Sequence, residues 1–177
     1  MRSCRRSTVK RKNCVWIVFN FDGYEKYLPS TLDGRGVVIY YKLNLSVSNV
    51  EVLSGFNFNE SVWIRVKLKD ADSLLIGNIY RSPSSSKENN AKLLSLLSNA
   101  VGMKDSHILV IGDFNYGTID WESLQSSEST EHCSSLFVEH IKDLFLYQHV
   151  DQDTRFRAGQ VPSLLDLLLT NEKMYDS

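Results

Sequence analysis

Asp113 and Asn115 stand two residues apart at the end of an apolar run, Ile108-Leu109-Val110-Ile111-Gly112. In extended chain, residues i and i+2 project to the same side. A carboxylate and an amide therefore reach one spot while Phe114 turns back toward the core. An anionic acceptor beside a neutral amide donor suits a phosphoester: the first activates water or holds a metal, and the second donates to a phosphate oxygen. A strand ending in Gly-Asp also makes an ordinary turn, so the pair gains meaning only from partners elsewhere in the chain.

Several such partners are present. Asn78 and Tyr80 share one side of a strand end in Gly77-Asn78-Ile79-Tyr80-Arg81-Ser82-Pro83. A phenol there donates to a phosphate oxygen, and Arg81 adds a cation expected at the substrate. Asp166 interrupts a run of five leucines (Leu164, Leu165, Leu167, Leu168, Leu169). A carboxylate buried in such a strand is costly unless paired, so it is expected to orient a histidine or a metal-bound water. Thr154 and Arg155 precede that strand with a hydroxyl and a cation. Gly34-Arg35-Gly36 forms a glycine-fed turn into the segment 37–42.

The elements that would position these groups follow from periodicity. Strands are expected over residues 15–19, 37–42, 46–53, 61–69 and 74–80. In 61–69, Val62, Ile64, Val66 and Leu68 face one way and Arg65, Lys67 and Lys69 the other. Asp70-Ala71-Asp72 is a turn. Ala91, Leu94, Leu97 and Val101 keep helical spacing, with Gly102 placed as a C-terminal cap. A strand over 108–111, a helix within 129–146 and a last strand over 163–170 complete the pattern. Early strands followed by alternating helices and strands suit an α/β sandwich with helices covering the sheets.

The chain has 177 residues, 42% hydrophobic, 23% charged and 11% aromatic, the composition of one globular domain. Arg2, Arg5, Arg6, Lys10, Arg11 and Lys12 carry six positive charges. Subtracting them from the net −1 leaves about −7 on the rest, which excludes a globally basic nucleic-acid binder. This basic start reads as a disordered N-terminus, with a nuclear-import or phosphate-contacting arm as the alternative. Residues 14–21 are apolar but too short to span a membrane, and no small-residue cleavage site follows them. Cys4, Cys14 and Cys133 form neither a disulfide framework nor a zinc pattern, which fits a reducing, intracellular setting.

In order along the chain, FDGYE (21–25), GRGVVIYYK (34–42), LLIGNIYRSPSS (74–85), HILVIGDFN (107–115), TRF (154–156) and SLLDLLLTN (163–171) resemble the endonuclease/exonuclease/phosphatase superfamily. Within it, they resemble the apurinic-type endonuclease domain of non-LTR retrotransposons. The resemblance covers residues 21–171. It leaves 1–20 as a basic segment outside the domain and makes 21–177 a partial one.

The resemblance implies a four-layer αββα sandwich of two mixed β-sheets flanked by helices, here incomplete. It also implies Mg²⁺-dependent (or Mn²⁺-dependent) hydrolysis of a DNA phosphodiester. Asp113 resembles the acid that positions or deprotonates the attacking water and touches the metal. Asn115 resembles the amide on the phosphate, Tyr80 the tyrosine at the scissile phosphate or leaving group, and Asp166 the partner of a catalytic histidine. Asn78, Arg81, Thr154 and Arg155 would bind substrate.

Two parts of the family pattern have no counterpart. Residues 1–21 contain no Asp or Glu where a metal-binding glutamate is expected, and no Ser-Asp-His triplet occurs. The expected function is therefore a DNA-nicking phosphodiesterase weakened as the chain stands. The alternatives are a non-catalytic structural or nucleic-acid-binding module, and a hydrolase of small phosphoesters. No obligate protein partner is evident.

Overall fold

The structure, a computed structural model, describes residues 4–11, 14–28, 36–50, 58–159 and 161–173. Gly34, Arg35 and the second half of the strand expected over 46–53 lie outside the described residues, as do Arg2 and Lys12.

Its centre is a six-stranded mixed sheet. In chain order it uses β5 (Val47–Asn49), β6 (Ser61–Lys67), β7 (Ser73–Tyr80), β8 (His107–Asp113), β11 (Tyr147–Gln148) and β12 (Asp166–Thr170). The order across the sheet is β11-β12-β8-β7-β6-β5. Only β7 and β8 run parallel; the other neighbours are antiparallel. Parallel neighbours need a crossover, and α1 (Lys87–Gly102) supplies it.

Helix α1 starts where Ser86 caps it, its hydroxyl accepting from the Asn89 amide at 3.1 Å. Leu93, Leu96, Leu97 and Ala100 form its buried face. Gly102 is still helical; the cap is Met103, and Lys104 takes the left-handed turn at φ 58°. Helix α2 (Cys133–Asp143) lies within the expected 129–146. His132 caps it, and Leu136 and Phe145 of the expected apolar face are exposed.

Both helices cover one face of the sheet. Leu75, Ile79, Val110, Leu167 and Leu169 meet Leu93, Leu96, Leu97, Phe137 and Ile141 there in one core. Trp63 joins this core, lying so closely over Gly77 that a Cβ there would come within 2.5 Å of its ring. Strand β6 is thus buried on both faces at its start, with Val62 and Ile64 on the other side, and the expected half-buried pattern holds only toward Lys67. Leu68 falls outside the strand and is exposed.

The second layer comes from two hairpins, β1 (Cys4–Arg11) with β2 (Cys14–Phe21), and β3 (Tyr24–Tyr27) with β4 (Ile39–Lys42). Cys4–Arg11 pairs along its whole length with β2, which corrects the disordered N-terminus expected from its basic composition. The Tyr40 hydroxyl donates to the Phe19 carbonyl at 2.8 Å. Asn78 donates from Nδ2 to the Val38 carbonyl at 3.2 Å, joining this layer to the central sheet. The described second layer consists of separate two-stranded ladders rather than one continuous sheet. A third ladder, β9 (Ile119–Asp120) with β10 (Gln125–Ser126), lies between β8 and α2 in the chain.

Candidate active site

Strand register brings the chemistry together. Tyr80 of β7 stands beside Asp113 of β8, and Asp113 opposite Asp166 of β12. Residues in register on neighbouring strands share a face, so these three form one row at the rim of the sheet, on the side away from the helices. The Phe114 amide donates to the Leu165 carbonyl at 2.8 Å. Asp113 and Asp166 therefore form a pair of the non-hydrogen-bonded type, whose Cα atoms lie about 4.5 Å apart and whose side chains are close.

Gly112 makes this rim possible. It sits at φ 148°, and a Cβ there would fall 1.8 Å from the Ile79 carbonyl oxygen. Only glycine permits such an approach of β8 to β7. Asn115 then turns left-handed at φ 54°, a conformation asparagine tolerates better than most residues. Asp113 and Asn115 thus line one cleft, but by a different route from the extended-chain argument. The strand ends at Asp113, and a left-handed turn, not a pleat, brings Asn115 to the same cleft while Phe114 is fully buried.

The cleft has a volume of about 540 Å³. Asp113, Asn115, Thr154, Arg155, Leu165 and Asp166 line it, together with Pro83, Phe156 and Arg157. Thr154 accepts at Oγ1 from the Leu165 and Asp166 amides, at 3.1 and 3.0 Å, and so fixes the start of β12. Arg155 forms an isolated bridge with Ser163. Asp166 is exposed rather than buried among its leucines, because it is the first residue of β12 and opens onto the cleft.

Burial raises the Asp113 carboxyl above its ordinary value; the Asn115 amide opposes this, the charge of Asp166 adds to it, and the Arg155 cation opposes it again. Asp113 Oδ1 is buried with no hydrogen-bond partner among the described residues. A buried carboxylate oxygen without a donor is costly, and it suits a position completed by a proton, a water or a hard cation. Asp113 and Asp166 offer the oxygen donors Mg²⁺ prefers. No group of three His, Cys, Asp or Glu side chains able to hold a metal occurs among the described residues.

Two expected substrate contacts are placed elsewhere. Asn78 is held by Val38, as described above. Arg81 is buried at 3% exposure with its guanidinium turned inward. Nε donates to Asn90 Oδ1 at 2.7 Å, and NH1 to the carbonyls of Phe114 and Asn115 at 3.2 Å each. Phe156 and Arg157 were not singled out from the sequence, yet both line the cleft, and Phe156 is 72% exposed. The signal available was the run Arg155-Phe156-Arg157, an aromatic between two cations.

Comparisons with known proteins identify the family and the fold. Residues 74–177 match the family described as endonuclease-reverse transcriptase, and the chain belongs to that family. Segments 21–25 and 34–42 lie outside the matched residues. The structure is similar to the endonuclease domain of TRAS1, a telomere-specific non-LTR retrotransposon (TM-score 0.63, 16% identity, 84% of this chain and 65% of that one). It is also similar to the 3′ phosphatase NExo from Neisseria, bound there to a product DNA hairpin (TM-score 0.53, 14% identity, 84% and 66%). The Xenopus laevis APE2 catalytic domain is a third (TM-score 0.53, 12% identity, 85% and 67%). The chain thus spans 65% and 66% of the first two of these structures. These likenesses establish the endonuclease/exonuclease/phosphatase fold. No curated protein matches the chain in sequence. Among the described residues, no helix is long and apolar enough to cross a membrane.

Proposed function

We propose that the cleft is a phosphodiester-hydrolysing site acting on DNA, with low activity in this chain. The observation that carries the reading is the row Tyr80–Asp113–Asp166, with a buried Asp113 oxygen that no donor among the described residues satisfies. Asp113 accepts the proton of the attacking water, a task suited to a carboxyl that burial raises above its ordinary value. Asn115 gives one amide hydrogen to the Arg81 carbonyl, at 2.9 Å, and its side-chain bond to the Asp113 carboxyl gives way to a non-bridging phosphate oxygen when substrate is bound. Tyr80 donates to the phosphate or to the departing oxygen. Arg155 and Arg157 meet the neighbouring phosphates. Asp113 and Asp166 would hold Mg²⁺, which supplies positive charge to the phosphoryl oxygens when bound.

The low activity follows from what the row lacks. Neither a third carboxylate for the metal nor a histidine beside Asp166 is gathered at the cleft among the described residues, and members of one catalytic unit lose most of the rate together. Supercoiled-plasmid nicking with and without Mg²⁺ tests this. Slow, chelator-sensitive nicking is expected, reduced at least ~100-fold by Asp113→Ala. Brisk nicking indifferent to that change would overturn the assignment.

A second reading, a nucleic-acid-binding module without catalysis, is favoured by the exposed Phe156 between two arginines. Replacing Arg155 and Arg157 by Ala should then lower the salt dependence of DNA binding by about 2 in log–log slope.

A further inference from the structure

We propose that Arg81 is a positioning residue: its buried guanidinium fixes the main chain of residues 114–115, and through it the Asp113 carboxylate and the Asn115 amide. The inference deepens the phosphodiesterase reading above and rests on it for its functional meaning.

Residue 81 and the loop after β8 are bonded in both directions. The Arg81 amide donates to the Asp113 carbonyl at 2.8 Å. The Arg81 carbonyl accepts from Asn115 Nδ2, and its guanidinium returns two bonds to the Phe114 and Asn115 carbonyls. Further along the side chain, Cζ lies 4.0 Å from the centroid of the Tyr116 ring, and NH2 reaches Cys133 Sγ at 3.5 Å. One side chain thus ties together consecutive residues 114, 115 and 116, the start of α2 and Asn90 of α1.

Packing alone does not account for it. Burying a guanidinium is costly, and the usual compensation is a carboxylate. Among the described residues Arg81 takes part in no ion pair; its partners are carbonyls, an amide oxygen, a thiol and an aromatic face. An apolar side chain would fill the same space at less cost. What only a planar, multi-donor cation supplies is a fixed fork for two successive carbonyls. Those carbonyls belong to the segment that must stay in a left-handed turn, since Asn115 holds φ 54°. Released from the fork, the turn relaxes toward extended chain and carries Asn115 away from Asp113. A displacement of about 1 Å at reacting groups is enough to cost ~10²-fold in rate.

Asn90, Tyr116 and Cys133, three of the partners of Arg81, also line a cavity of about 430 Å³ between the starts of α1 and α2. A small cation in solution therefore has a route to the guanidinium position once the side chain is shortened, which permits a rescue test.

The test uses the full chain and nuclear magnetic resonance, so it does not depend on turnover. Wild type, Arg81→Met and Arg81→Ala are first compared by thermal melting; if Arg81→Met does not fold, Arg81→Lys, which keeps the charge but not the fork, takes its place. In the folded variant the Asn115 side-chain amide signals should move to those of a solvated amide. Guanidinium at tens of millimolar should restore the wild-type signals in Arg81→Ala, and tetramethylammonium, a cation without donors, should not, which separates the fork from the charge.

A folded variant with the Asn115 signals unshifted, or equal rescue by tetramethylammonium, would overturn the inference. Plasmid nicking is measured alongside. If wild type nicks, the variant should lose at least ~10-fold in kcat with little change in KM. If wild type neither nicks nor binds DNA while the resonance changes occur, the phosphodiesterase reading fails and the positioning role stands.

Discussion

The two ends of β8 treat buried acids in opposite ways. Before its first residue, Asp105 is almost fully buried and receives a two-pronged bond from Arg65, Nε to Oδ1 at 2.5 Å and NH2 to Oδ2 at 2.7 Å. Burial pushes this carboxyl up, but the bonds from Arg65 and Ser73 outweigh it and hold it below the ordinary range. Nearby, His107 meets Glu172 at 2.7 Å, and Asn171 accepts from the Ile108 amide at 2.8 Å. At the other end, Asp113 faces a second carboxylate, has one oxygen without a donor among the described residues, and is pushed up. The same strand thus closes its charges at one rim and leaves them open at the other. The closed end holds the fold together; the open end keeps a demand for charge and hydrogen bonds that a substrate and a cation can meet.

The largest effect that would break this contrast is at Gly112. Gly112→Ala drives a Cβ into the Ile79 carbonyl and imposes a φ that alanine resists. It should destabilise the chain by more than ~3 kcal/mol in urea unfolding, or prevent folding. A mild change would mean that the open rim is not as tightly specified as the closed one. Next comes Asp105→Ala, which strips the carboxylate from the partly exposed Arg65 and should cost about 2–3 kcal/mol at neutral pH.

The pH dependence sharpens the contrast with opposite signs. The folded Asp105 is lowered, so its contribution is present above the unfolded value near 3.8 and is lost as pH falls through the folded one. The Asp105→Asn penalty should therefore fade in acid. The folded Asp113 is raised, so its favourable contribution is complete below about 3.8 and disappears as pH rises through the folded value. Asp113→Asn should then melt slightly above wild type at pH 7 and level with it at pH 3. Parallel shifts of the two variants across pH would show that the ends of β8 do not differ as described.

Much of this arrangement could be read before any coordinates. Strand periodicity placed Asn78 and Tyr80 on one side, and apolar runs ending at Gly112 and spanning 164–169 marked the two strands that meet at the rim. The rest depended on contacts distant in sequence. Arg81 follows a strand end and precedes Ser-Pro, which reads as an exposed cation; its burial depends on acceptors at residues 90, 114 and 115. Asp166 reads as buried because leucines surround it, and it is exposed because the strand begins there. The pairing of Cys4–Arg11 with β2 outweighs a charge pattern that by itself favours solvation.

The row of Tyr80, Asp113 and Asp166 also makes the cleft depend on parity. Each of the three faces outward because it stands two positions from an outward-facing neighbour, as with Ile111 before Asp113 and Leu168 after Asp166. Adding one residue inside β8 would turn Asp113 into the helix-covered core and present Gly112 to the cleft, while adding two would restore the facing. Length changes within these strands are therefore read in steps of two. A relative of altered strand length that keeps the cleft would be expected to differ by pairs, or to carry a bulge that resets the count.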